Sequence, residues 1–164
     1  LRYLIAERTG ISQSNVHAYV VGEHGDSEFP LWSSAAIANA PIRDWRVGGE
    51  RIFTDQVLDE VSASVTQAAY RVIEGKGATN YAIGLSSSYL VESLLSTQRS
   101  VMPLSSVLDN YYGVSGVALS VPSLVSNEGL IQPVSVPMSA SEIQNLHRSA
   151  ATMRDTLASI GYQA

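Results

Sequence analysis

Apolar and polar residues alternate through residues 16–21, and the alternation stops at Gly22. Val16, Ala18 and Val20 fall on one face of a predicted strand, with His17, Tyr19 and Val21 on the other. Ahead of it, Leu1, Leu4 and Ile5 have helical spacing, and Gly10 is a stop for that helix. No capping residue precedes Leu1, so the start reads as the middle of a helix whose first turns are absent. After the strand, a short apolar segment begins at Glu28-Phe29-Pro30-Leu31-Trp32 and runs to the turn-like Asn39-Ala40-Pro41; Gly48-Gly49 marks a loop. Across residues 54–73, Val57, Val61, Val65, Ala68 and Val72 recur at three- and four-residue steps. That stripe predicts one helix, capped by Thr54 or Asp55 and broken by Gly75-Lys76-Gly77. A second helix is predicted from Thr79 or Asn80 to about residue 98, with Gly84 a weak spot that would permit close packing.

From residue 100 to 137 the pattern turns to strands. Val101, Leu104 and Val107 suggest one, and Val117, Leu119 and Val121 alternate with Ala118 and Ser120 in a second. Tyr111-Tyr112-Gly113-Val114-Ser115-Gly116 is turn-like, and Asn127-Glu128-Gly129 turns the chain back into a third segment from Leu130. The last segment is the most regular helix: Ser139 and Glu142 form a capping-box pattern, Ile143, Leu146, Ala150, Met153, Leu157 and Ile160 step by three and four, and Gly161 ends it. These elements predict one α+β domain over residues 1–164, with long helices packed on antiparallel strands.

Composition narrows the partners. The 164 residues are 45% hydrophobic and 15% charged, which fits a globular protein slightly poor in surface charge and points to a further buried surface, a partner domain or subunit. A net charge of −5 with no basic run argues against nucleic acid. No apolar run is long enough to span a bilayer, and no signal peptide is visible. The absence of cysteine excludes disulfides and thiolate chemistry and fits a cytoplasmic protein. Trp32 and Trp45 read as core or interface anchors, and His147 as a surface or boundary residue. The three histidines, at 17, 24 and 147, lack metal-ligand spacing; His24 and Asp26 could ligate a metal, but no third ligand is evident. No GxSxG elbow supports a hydrolase, and no GxGxxG fingerprint supports a dinucleotide fold.

The candidate chemistry lies in Gly22-Glu23-His24-Gly25-Asp26-Ser27. Two glycines let the backbone leave the strand sharply, and His24 is presented at the strand end, where active-site groups are often placed. Imidazole can give and take a proton near neutral pH. The residues alone leave open a structural histidine and a catalytic one. Thr79 has two readings as well: an N-cap, or a hydroxyl at a helix start suited to a carboxylate.

The stretch NVHAYVVGEHGDS, followed in order by GKGATNYAIGLS and ALSVPSLVSNEGL, resembles the L-lactate dehydrogenases of the lactate/malate dehydrogenase superfamily along essentially the whole chain. The resemblance implies the C-terminal, substrate-binding half of such an enzyme, with the N-terminal Rossmann domain absent from this sequence. It implies His24 as the acid/base in hydride transfer between NAD(H) and lactate or pyruvate. It also implies Thr79 beside the small side chain of pyruvate and Ile83 against the nicotinamide. The carboxylate that orients the histidine and the arginine that clamps the substrate carboxylate would lie in the other half; Arg2 falls just beyond that arginine, and Asp26 is better placed to turn its own loop than to orient His24. Some members of the family are activated by fructose 1,6-bisphosphate, which the resemblance would place on Arg2 and His17 at a subunit interface of a homotetramer.

Three alternatives accompany this reading: a lactate-like malate dehydrogenase, although Glu23 and Thr79 lean towards lactate; a non-catalytic fragment or assembly module; and a free-standing binding protein. Arg2 and His17 on their own are a solvated helix residue and a strand histidine.

Overall fold

The computed structural model describes residues 1–78 and 80–162. Helix α1 (Arg2–Thr9) ends at Gly10, whose φ of 69° is the left-handed cap that glycine adopts without strain. A single 3₁₀ turn (Gln13–Asn15) leads into β1 (Val16–His17). The strand expected across residues 16–21 is in fact two short ones. β1 pairs antiparallel with β4 (Ala36–Ile37), whereas β2 (Val20–Val21) pairs with β3 (Phe29–Pro30). The change of partner between them breaks the alternation: Val16, Ala18 and Val21 are buried, and His17 is exposed. β5 (Ala40–Pro41) adds to β4, and β6 (Arg46–Val47) and β7 (Glu50–Arg51) form a hairpin around Gly48-Gly49, both at positive φ.

The helix predicted over residues 54–73 breaks at Gln67 into α2 (Asp55–Thr66) and α3 (Ala68–Lys76). Neither glycine nor proline causes the break. The Ser62 and Thr66 hydroxyls donate back to the carbonyls of Leu58 and Ser62, a competing bond that bends helices. Thr54 caps α2 by accepting from the Val57 N–H. Only the first half of the predicted stripe is covered: Leu58 and Val61 are buried in α2, while Val72 and Ile73 of α3 are exposed.

Helix α4 (Asn80–Leu95) lies open, with the apolar side chains of Tyr81, Ile83, Leu85 and Leu95 all exposed. A Cβ at Gly84 would meet nothing within 4 Å. Among the described residues nothing covers that face of α4, so Gly84 serves no close packing there.

β8 (Ser100–Val107), β9 (Ala118–Ser126) and β10 (Gly129–Pro133) form an antiparallel sheet with β9 in the middle. Its register runs from Ser100 opposite Val125 to Val107 opposite Ala118, and a bulge between Leu130 and Gln132 disturbs the β9–β10 pairing. α5 (Ala140–Ser159) has the full capping box: Ser139 accepts from the Glu142 N–H, and Glu142 accepts from the Ser139 N–H.

Two hydrophobic clusters hold these elements. In one, Val21, Phe29 and Leu31 pack with Leu119 and Val121 of β9 and with Leu146 and Ala150 of α5. In the other, Ile5 of α1 joins Val16, Ile37, Ile42, Phe53 and Leu58 of α2, with Trp32 and Trp45 half-buried against it as the anchors expected. The α+β class read from the sequence holds. β1–β2 thus runs from one cluster to the other, and the His24 bend follows where it meets the central sheet.

Candidate functional site

His24 sits in the bend between β2 and β3. The bend starts from a fixed point: Gly22 bridges to Ser120 near the start of β9, donating N–H to its carbonyl at 2.8 Å and accepting its N–H at 2.9 Å. The φ of Gly22 is 101°, open to glycine and strained for other residues. Two tight bonds then wind the chain: Gly25 N–H to the Glu23 carbonyl at 3.1 Å and Glu28 N–H to the Gly25 carbonyl at 3.2 Å. The His24 imidazole stands clear of all this, 99% exposed.

Glu28 supplies a carboxylate 3.7 Å from His24 Nδ1 and is itself largely buried. Asp26, nearer in sequence, points elsewhere and accepts from the Tyr70 hydroxyl at 3.2 Å. Two clefts meet at His24. One is bounded by Val20, Glu28, Ser86, Pro103 and Ser120, the other by Asp26, Val65, Ala69, Tyr70 and Ile73. An exposed imidazole with a carboxylate within ion-pair reach can exchange a proton with a molecule in either cleft.

The remaining candidates are placed unevenly. Ile83 is 62% exposed on α4, three residues from Ser86 and so on the face that reaches the first cleft. Thr79 lies outside the described residues. Arg2 lines a groove with Tyr19, Tyr89 and Pro103, while His17 is exposed on β1 and is not among the residues lining that groove. Among the described residues, the pair named together from the sequence is thus not brought together in the groove that Arg2 lines. His147 is exposed, as expected, with Nε2 2.8 Å from the Tyr112 carbonyl oxygen. Among the described residues no helix is long and apolar enough to cross a membrane.

Sequence reasoning missed Glu28, whose signal was its place four residues after His24 within a tight loop. It also missed Ser149 of α5, buried beneath the loop and accepting the Glu23 N–H at 2.6 Å. Nothing in the sequence links two residues 126 positions apart.

A family model described as lactate/malate dehydrogenase, alpha/beta C-terminal domain, matches residues 1–161. The chain is 43% identical over 163 residues to an L-lactate dehydrogenase of Bifidobacterium animalis subsp. lactis, covering 99% of this chain and 51% of that protein. It is 38% identical over 154 residues to an L-lactate dehydrogenase of Oceanobacillus iheyensis, covering 94% and 48%. Among solved structures, a minor L-lactate dehydrogenase from Enterococcus mundtii, crystallised in a ligands-bound form, superposes with a TM-score of 0.91 at 30% identity, over 97% of this chain and 50% of that one. This chain spans about half the length of the relatives it matches.

Proposed function

The chain belongs to the lactate/malate dehydrogenase family, through its α/β C-terminal domain, and on that premise we propose that it is the substrate-binding and catalytic half of an NAD-dependent L-lactate dehydrogenase. The observation that carries this reading is the exposed His24 imidazole at the junction of two clefts, with the Glu28 carboxylate 3.7 Å away.

His24 holds the proton that the carbonyl oxygen takes up when pyruvate is reduced, and it removes the hydroxyl proton when lactate is oxidised. Protonated, it also polarises the carbonyl ahead of reduction. NAD supplies the hydride carrier when bound. Residues of this chain fit it only at the ring: Ile83 offers an exposed apolar side chain for the nicotinamide, and no glycine-rich cradle for a pyrophosphate occurs in the sequence. The dinucleotide is therefore assigned to an N-terminal half, together with the arginine that clamps the substrate carboxylate and the carboxylate that orients His24. The open apolar face of α4 supports a covering domain or subunit. Thr79 is assigned to the wall beside the substrate methyl. Arg2 and His17 are assigned to fructose 1,6-bisphosphate at a subunit interface of a homotetramer; Arg2 lines a groove that does not include His17, which is in keeping with a ligand held by groups from two subunits. A cytoplasmic location follows from the same reading.

Steady-state turnover of the full-length dehydrogenase with pyruvate and with oxaloacetate tests the assignment. A higher kcat/KM for pyruvate is expected; a preference for oxaloacetate would move the protein to the malate branch, and inactivity on both would overturn the enzyme reading.

A further inference from the structure

The loop that presents His24 is fastened from beneath by a closed circuit of hydrogen bonds. The Glu23 backbone N–H donates to Ser149 Oγ at 2.6 Å. The Ser27 hydroxyl donates to the Glu23 carboxylate, which uses its only proton. The 3.0 Å contact between the two serine oxygens must then have Ser149 as donor and Ser27 as acceptor. The circuit thus leaves the backbone of Glu23, passes through both serines and returns to the Glu23 side chain. Gly22 and Gly25, on either side of His24, are moulded around it: a Cβ at Gly22 would stand 2.8 Å from Ser149 Oγ, and one at Gly25 would stand 2.6 Å from Glu23 Oε1.

Ser149 is out of place on any purely hydrophobic account of α5. It is fully buried beside Leu146 and Ala150, which are fully buried too. A buried hydroxyl is costly unless bonded, and alanine would serve this core as well. Among the described residues, the bonds its oxygen makes are to Glu23 and Ser27 of the His24 loop.

We propose that Ser149 is a positioning residue for the reaction assigned to His24, setting the place of the imidazole through the Glu23 backbone. The inference rests on the reading of His24 as the acid/base. The circuit fixes the residue before the histidine in both its main chain and its side chain, so the Cα of His24 has little freedom to drift, while the imidazole itself stays open to the clefts.

The test uses the full-length dehydrogenase, assayed well below its melting temperature so that all molecules are folded. Misplacing a reacting group by about 1 Å can cost about 10²-fold in rate. Ser149→Ala is therefore expected to lower kcat about 10- to 100-fold and to leave the KM for the dinucleotide unchanged. Amide hydrogen exchange at Glu23 provides a readout independent of turnover: it should quicken in Ser149→Ala and stay slow in Ser149→Thr, which keeps the hydroxyl and should recover much of the lost kcat. Ser27→Ala, which opens the circuit without altering α5, should lower kcat in the same direction and stands in if Ser149→Ala does not fold. Wild-type kcat in folded Ser149→Ala, or in Ser27→Ala should the first not fold, overturns the proposal whether or not the Glu23 amide has lost protection. So does a fall in kcat that Ser149→Thr does not relieve although its Glu23 amide stays protected. His24→Asn, run alongside, tells the two failures apart: near-normal turnover in it overturns the assignment of His24 and the role of Ser149 with it, whereas a large fall in it beside wild-type kcat in Ser149→Ala overturns the role of Ser149 alone.

Discussion

Glu28 Oε2 lies 3.7 Å from His24 Nδ1, whereas Asp26, two residues after the histidine, is turned away to the Tyr70 hydroxyl. The carboxylate that neighbours the imidazole within this chain is thus the one a turn further along the loop. His24 is nonetheless almost fully exposed, and salt and solvent screen a pair of this kind. That exposure is in keeping with the proposal that the surroundings of His24 are completed by another domain.

Replacing His24 by asparagine removes the proton donor and keeps a polar side chain of similar reach. In the full-length dehydrogenase turnover should fall by about 10² to 10⁴-fold. Dinucleotide affinity, which this reading places on the other half, should change little. Stopped-flow turnover and fluorescence titration of NADH check the two quantities separately; near-normal turnover would sink the assignment.

This chain expressed by itself should not oxidise lactate. It carries no dinucleotide fingerprint, and the reading assigns the substrate-clamping arginine to the other half. NAD-dependent activity in purified chain, free of host dehydrogenase, would contradict this.

If Arg2 and His17 hold an effector with two phosphates, fructose 1,6-bisphosphate should lower the apparent KM for pyruvate and favour assembly, since a ligand bridging an interface stabilises it by mass action. Arg2→Gln and His17→Gln should each weaken that response. The measurement is effector titration followed by rate and by molecular mass in all three proteins. An equal response in all three, or none in the wild type, would return both residues to a plain surface role.

Glu142 should stabilise the fold in a pH-dependent way. Burial pushes its carboxyl pKa up, but hydrogen bonds from Ser33 and Ser139 outweigh that and leave it below the ordinary 4.5; the Ser33 N–H reaches Oε1 at 2.9 Å and the Ser139 N–H reaches Oε2 at 2.7 Å. A folded-state pKa below the unfolded one means the folded protein binds fewer protons, so the contribution is present above the unfolded value and is lost as pH falls through the folded one. Glu142→Gln should cost about 1 to 3 kcal/mol near neutral pH, and the gap from wild type should close in acid below 4.5. Denaturant unfolding of both proteins across that range gives the answer; a constant gap would reject it.

Legibility from sequence followed the range of the interactions. The capping box at Ser139 and Glu142, the cap at Thr54 and the turn at Gly129 are local, written into neighbouring residues, and they stand where expected. The break at Gln67 was hidden because back-bonding by Ser62 and Thr66 leaves the apolar spacing untouched. The split of residues 16–21 was hidden because strand periodicity carries no record of which partner each half pairs with. At the site, His24 stood out by its flanking glycines. Glu28 and Ser149 did not, since one depends on how a bend folds over and the other on a helix from the far end of the chain.

The bond from Glu23 to Ser149 closes a loop of 126 residues. Entropy makes such a closure expensive before other contacts have shortened the path, so it is expected to form late, after the β8–β9 ladder and together with the docking of α5. The histidine's setting is therefore among the last features to mature as the chain folds. A nascent or C-terminally clipped chain lacking Ser149 can acquire its local hairpins while its loop stays unset, so in the full-length dehydrogenase recovery of turnover during refolding should lag behind recovery of secondary structure.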